Sequence, residues 1–120
     1  MNTLLIEGIP VSEYFRYHPP VTEARKQKHE TANTACLKLF NELYKTSDLE
    51  EIRRQLRVFT ALMTNLVDNH TCRNWAIKSL EAAGNAATNQ DQEAVLMHIQ
   101  QIRMFINQGI TIDELQNIPF

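Results

Sequence analysis

The sequence predicts an all-α fold: an antiparallel helical bundle of about four helices with an extended N-terminal arm, oligomeric, built as a single domain. Three observations carry this expectation. Apolar residues recur every three or four positions in four successive segments, the period of one helix face. Helix breakers are scarce: 3 Gly and 4 Pro in 120 residues, with three of the prolines (Pro10, Pro19, Pro20) in the first 20. Breaks of two to four residues separate the segments, short enough to make consecutive helices antiparallel neighbours. The chain divides into an arm over residues 1–21, a bundle over 22–108, and a C-terminal turn and tail over 109–120.

Taken in order, residues 2–9 are apolar and partly β-branched and read as a short strand or an extended arm. Ser12 is placed to cap a single turn through Glu13, Tyr14 and Phe15. Pro19 and Pro20 then impose extended backbone, because a residue before proline avoids the α region. Thr22 is a good N-cap for a first helix over 23–45, with a core stripe of Ala32, Cys36, Leu39 and Leu43, widened by Phe40 and Tyr44. Ser47 and Glu50 form a capping box for a second helix over 48–68. Its stripe is the most regular in the chain: Leu49, Ile52, Leu56, Phe59, Met63, Leu66, a seam suited to a bundle or to a partner chain. Thr71 is placed to cap a third helix over 72–88, with Ala76, Leu80, Ala83 and Ala87 inward, and enough Ala and Gly to let another backbone approach closely. Asp91 is a cap for a fourth helix over 92–108 carrying Val95, Ile99, Ile102 and Ile106. Gly109 reads as its stop, and Thr111 with Glu114 as a capping box for a last turn before the apolar tail Ile118-Pro119-Phe120.

Bulk composition narrows the function classes. A domain of this size supports a modest stability, on the order of 5–10 kcal/mol. The formal charge is −2, from 12 basic and 14 acidic residues, which argues against general nucleic-acid binding. No apolar run approaches a membrane span, and the first residues carry no charged and apolar leader, so a cytoplasmic location is expected. In that compartment Cys36 and Cys72 read as buried free thiols.

No catalytic set emerges. His18, His29, His70 and His98 form no H-x-x-x-H pair, there is no Cys-x-x-Cys, and no metal or cofactor is expected. Asp48, Glu50 and Glu51 lie at a helix start, where carboxylates suit the dipole. Ser12, Ser47 and Ser79 lack an elbow motif, and Gly8, Gly84 and Gly109 are isolated rather than part of a phosphate loop. Arg53, Arg54 and Arg57 read as a solvated face balanced by Glu50 and Glu51, with an anionic partner as the minority reading.

The informative stretch is Arg16-Tyr17-His18-Pro19-Pro20, followed by Arg25, Lys26, Lys28 and His29. Residues 16–29 hold four Lys/Arg against one Glu, a local balance of +3. Aromatic faces stack on bases and cations answer phosphates. Cations in the opening turns of a helix oppose its dipole, an arrangement that a bound anion relieves; salt bridges to Glu23 and Glu30 are the plain alternative. Arg103 and Asn107, four apart beside Phe105, are placed to reach phosphate and base edges, or simply to face solvent. Trp75 is one residue off its stripe and reads as core or as a stacking surface.

Two blocks resemble a known family. Residues 15–29, FRYHPPVTEARKQKH, resemble the start, and residues 99–110, IQQIRMFINQGI, the second helix, of the hairpin domain in bacteriophage anti-CBASS and anti-Thoeris sponge proteins. The segment 72–83, CRNWAIKSLEAA, is an alternative match to that second helix, with Arg73 and Trp75 in place of Arg103 and Phe105. The resemblance covers about thirty residues; here 46–98 intervene and hold two further helices. It implies a small helical homo-oligomer, a dimer or hexamer, that sequesters a cyclic nucleotide or a cyclic ADP-ribose isomer without cleaving it, in the cytoplasm of the infected cell. It further implies that Tyr17 stacks on a base with His18 beside it, that Arg25, Lys26 or Lys28 meets phosphate, and that Arg103, Phe105 and Asn107 lie toward the pocket. The rival expectations are a protein–protein adaptor or inhibitor acting through the Leu49–Leu66 seam or the C-terminal tail, and a small hydrolase of cyclic nucleotides.

Overall fold

The computed structural model describes residues 22–116 together with the backbone at Leu5–Ile6 (β1) and Ile9–Pro10 (β2). The two short strands pair antiparallel, Leu5 opposite Pro10 and Ile6 opposite Ile9. Among the described residues the architecture is otherwise four helices: α1 (Glu23–Lys45), α2 (Leu49–Leu66), α3 (His70–Thr88) and α4 (Gln92–Gln116). The expected turn after Ser12 and the apolar tail lie outside the described residues.

Helix starts follow side-chain caps. Thr22 accepts from the Arg25 N–H at 3.1 Å and Asp91 from the Ala94 N–H at 3.1 Å, both as expected. The other two caps differ by one or two residues from the sequence reading. Asp48, not Ser47, caps α2 by accepting from the Glu50 N–H, while Thr46 accepts from the Asp48 N–H. Asn69, not Thr71, caps α3 by accepting from the Cys72 N–H at 2.9 Å. In each case another cap former one or two positions away meets the free N–H groups. The α3–α4 break closes as a Schellman turn: Asp91 N–H donates to Ala86 and Gln90 N–H to Ala87, with Gln90 left-handed at φ 57°.

α4 is the central element. It packs most extensively on α3 and next on α1, while α2 packs on α3 and α1. The inward stripes form one core. Ala32, Cys36, Leu39 and Leu43 of α1 are buried with Ala76, Leu80, Ala83 and Ala87 of α3 and Val95, Ile99, Ile102 and Ile106 of α4. From α2 the core takes Ile52, Phe59 and Met63; Leu56 and Leu66 pack half-buried against it, and Leu49 stays 47% exposed. The molecule therefore uses most of the seam internally. On the side of α2 toward α1, Arg54 pairs with Glu51 at 2.6 Å, and that bond with the one from Gln55 holds the Glu51 carboxyl down at about 2.

The C-terminal expectation is corrected. Gly109 does not stop α4, which runs on to Gln116, and Thr111 does not cap a new turn but donates to the Asn107 carbonyl one turn back. The reason is tertiary. Val67, in extended backbone after α2, is fully buried, and a Cβ on Gly109 would lie 2.5 Å from its Cγ1 and 3.1 Å from Cys72 Cβ. Gly109 is thus the notch in α4 that receives the α2–α3 connection. One turn on, buried Asp113 accepts from the Asp68 N–H at 2.7 Å and ties the same connection down. Ile110 is buried beside them, so the apolar stripe simply continues.

Candidate functional site

The polar strip between α1 and α4 holds Arg103 and Asn107 of the site residues expected from the sequence. α1 contributes no buried residue before Ala32, so its first turns meet α4 through polar groups. Thr22 donates to Glu114 Oε1 at 2.9 Å. His29 Nδ1 lies 2.5 Å from Asn107 Oδ1. Asn33 Oδ1 accepts from both Arg103 Nε at 3.0 Å and Asn107 Nδ2 at 3.1 Å. Asn107 Nδ2 also donates to the Arg103 carbonyl at 2.8 Å. The helical spacing of Arg25, His29 and Asn33 lines them along the α4-facing side of α1, and that of Arg103 and Asn107 answers from α4.

Each expected site residue has a definite place. Tyr17 and His18 lie outside the described residues. Arg25 is half-buried in the first turn of α1, and its Nε is shielded from solvent with no hydrogen-bond partner among the described residues. Lys26 and Lys28 are exposed beside it. Arg103 is exposed and Asn107 half-buried, both bound into the strip. Phe105 does not join them: it stacks on Trp75 of α3, ring centres 6.0 Å apart and planes at 22°. Trp75 is 51% exposed, and Lys78 Nζ lies 4.7 Å above its ring, so it is not a core residue.

The sequence reading missed Asn33. The available signal was its residue type: Asn is a poor helix former in a helix interior, and there it calls for a partner. It also missed that the partners of Asn107 would be His29 and Asn33, more than seventy residues away.

Asn107 also borders a shallow recess of about 450 Å³ whose other walls are Met104, Gln108, Thr111 and Ile112. That is within the size range of small-ligand sites, and its walls are mostly apolar. A second cleft of about 370 Å³ runs between α1 and α2, lined by Leu39, Gln55, Val58 and Phe59 with Lys38 and Arg54 at its edge. None of the expected ligand residues that are described borders it.

The buried thiols are chemically quiet. Burial pushes the Cys36 thiol up to about 11, only partly opposed by the Arg103 charge, and burial with the nearby Asp113 raises Cys72. A thiol at that value holds roughly 100-fold less thiolate at neutral pH than an ordinary one. Iodoacetamide labelling of Cys36, read by mass spectrometry, is expected to be about 100-fold slower in the native protein than in denaturant; equal rates would contradict the packing of α1 on α4. Among the described residues no group of three or more His, Cys, Asp or Glu is arranged to hold a metal ion, and no helix is long and apolar enough to cross a membrane.

No protein-family model, no curated protein and no solved structure matches this chain.

Proposed function

We propose that this protein binds and sequesters a nucleotide-type signal, a cyclic nucleotide or a cyclic ADP-ribose isomer, without turning it over, and so counters host anti-phage defence. The observation that supports this reading is convergence. The two sequence blocks that resemble the sponge proteins are far apart in the chain, yet His29 of the first is bonded to Asn107 of the second, with Arg103 held in the same strip. Arg25, Lys26 and Lys28 lie in the first two turns of α1, where the helix N-terminus and the cations together favour phosphate. The apolar recess beside Asn107 offers a surface for a base or ribose. Two or three phosphate contacts plus base stacking, each contributing about 1–3 kcal/mol, suffice for tight binding without a nucleophile or a metal.

A thermal-shift screen against cyclic di- and trinucleotides and cyclic ADP-ribose isomers tests this. A ligand at 100 times its Kd stabilises the native state by about 2.7 kcal/mol, a rise of several degrees in Tm. The expected result is such a rise with one ligand, which chromatography then recovers intact. A flat screen would overturn the reading, and a cleaved ligand would turn it into the hydrolase.

The α1–α2 cleft favours the adaptor as the second reading, since Val58 at its mouth is 57% exposed. Mass in solution separates the two: a protein that self-associates through this face has none left for a target, whereas a monomer keeps the face free.

A further inference from the structure

We propose that His29 is a positioned hydrogen-bond acceptor of the ligand site, locked by Asn107 and Asn33 as the Nδ1–H tautomer so that Nε2 presents its lone pair to a hydroxyl or amine of the ligand. This rests on the sequestration reading for the ligand, but the tautomer follows from the hydrogen bonds alone.

Two groups in the strip have fixed hydrogen-bonding roles. A backbone carbonyl only accepts, so the side-chain atom of Asn107 that lies 2.8 Å from the Arg103 carbonyl is the amino nitrogen. A guanidinium only donates, so the side-chain atom of Asn33 that faces Arg103 Nε and the Asn107 amino group is the oxygen. The two assignments agree, because the amino group of Asn107 then donates to both acceptors. Its remaining atom, which faces His29, is therefore the carbonyl oxygen. An oxygen of that kind only accepts, so His29 Nδ1 carries the proton and donates.

Neutral imidazole holds one N–H, so His29 Nε2 is left as an acceptor. It has no partner among the described residues, and the ring is only half-buried. Arg25 lies one turn before His29 on α1, and Arg103 one turn before Asn107 on α4. A site with cations alone would take any phosphate. An acceptor fixed on the same strip as these two cationic residues selects a phosphate ester that also carries a donor, such as a ribose hydroxyl or an exocyclic amine. Asn33 and Asn107 act here as positioning residues.

The test is a long-range proton–nitrogen correlation spectrum of the histidine rings, recorded on the whole protein at mildly alkaline pH. His29 is identified by the signals lost in His29→Gln. The expected result is the Nδ1–H pattern for His29 in the wild type, the same pattern in Asn107→Asp, which keeps an acceptor, and the Nε2–H pattern in Asn107→Leu, with Asn107→Ala in its place if leucine prevents folding. An Nε2–H pattern in the wild type, or an unchanged tautomer in the variant that lacks the acceptor, would overturn the relay. The cyclic di- and trinucleotides and cyclic ADP-ribose isomers of the thermal-shift screen are then added in turn. Binding that moves the His29 Nε2 resonance supports the acceptor role, and binding that leaves it unmoved overturns that role. Binding by none of them removes the ligand role together with the sequestration reading, and the free-protein spectrum still decides the tautomer by itself.

Discussion

Gly109→Val is expected to destabilise the protein by about 3 kcal/mol, lowering Tm by roughly 10 °C. A side chain at this position meets Val67 Cγ1 in the α2–α3 connection at 2.5 Å and Cys72 Cβ in the first turn of α3 at 3.1 Å. Val67 is fully buried and β-branched, so it has few other rotamers and no empty space to enter. The new methyls therefore force apart α4 and the connection that Asp113 anchors one turn later. Helix propensity would by itself favour replacing glycine, by about 1 kcal/mol for alanine, which makes the sign of the effect diagnostic. Gly84→Ala provides the contrast. Its added Cβ comes too close only to Leu56 Cδ1, at 2.7 Å, the far end of a half-buried flexible side chain, and Ile52 Cγ2 at 3.5 Å is in ordinary contact. That variant is expected to be neutral or slightly stabilised. Thermal or urea unfolding of both measures the pair; a Gly109→Val protein as stable as the wild type would mean that α4 does not receive Val67 in this way.

Lys26→Glu combined with Arg103→Gln is expected to weaken binding of the sequestered nucleotide at least 100-fold while leaving Tm within a few degrees. Both side chains are exposed, so neither replacement opens a cavity or strands a buried charge. Each removes one charge-assisted contact worth about 1.5–3 kcal/mol to a phosphate, and the glutamate adds repulsion. The Arg103 change also removes the guanidinium, one of the two donors to Asn33 Oδ1, so the two effects need not add. Lys38→Glu, on the α2 side of α1, is the control and is expected to bind normally. Calorimetric titration reads all three. Unchanged affinity in the double variant would place the site elsewhere and turn attention to the α1–α2 cleft.

Much of the fold was legible in the sequence because helix periodicity is a local property. The stripes of α1, α3 and α4 are buried residue for residue, and the breaks at 46–48, 67–69 and 89–91 come where the polar and turn-forming residues are. Two of the four caps were identified outright, and the other two were missed by one and two residues because nearby cap formers compete for the same N–H groups. The candidate site was legible only as parts. Arg25, Arg103 and Asn107 stand out in the sequence by residue type and spacing, while Asn33 and His29 gain their meaning from partners on another helix.

The sequence by itself determined the number of helices, their inward faces and the cationic start of α1, since residues three and four apart share a face whatever the rest of the chain does. Tertiary structure alone decided that Gly109 lies inside a helix, that Phe105 turns to Trp75 rather than toward Arg103, and that Asn107 bonds to α1. Each of those outcomes depends on which atoms a neighbouring element brings within reach. A glycine signals a stop and a notch equally well, and only the buried Val67 against it makes it a notch.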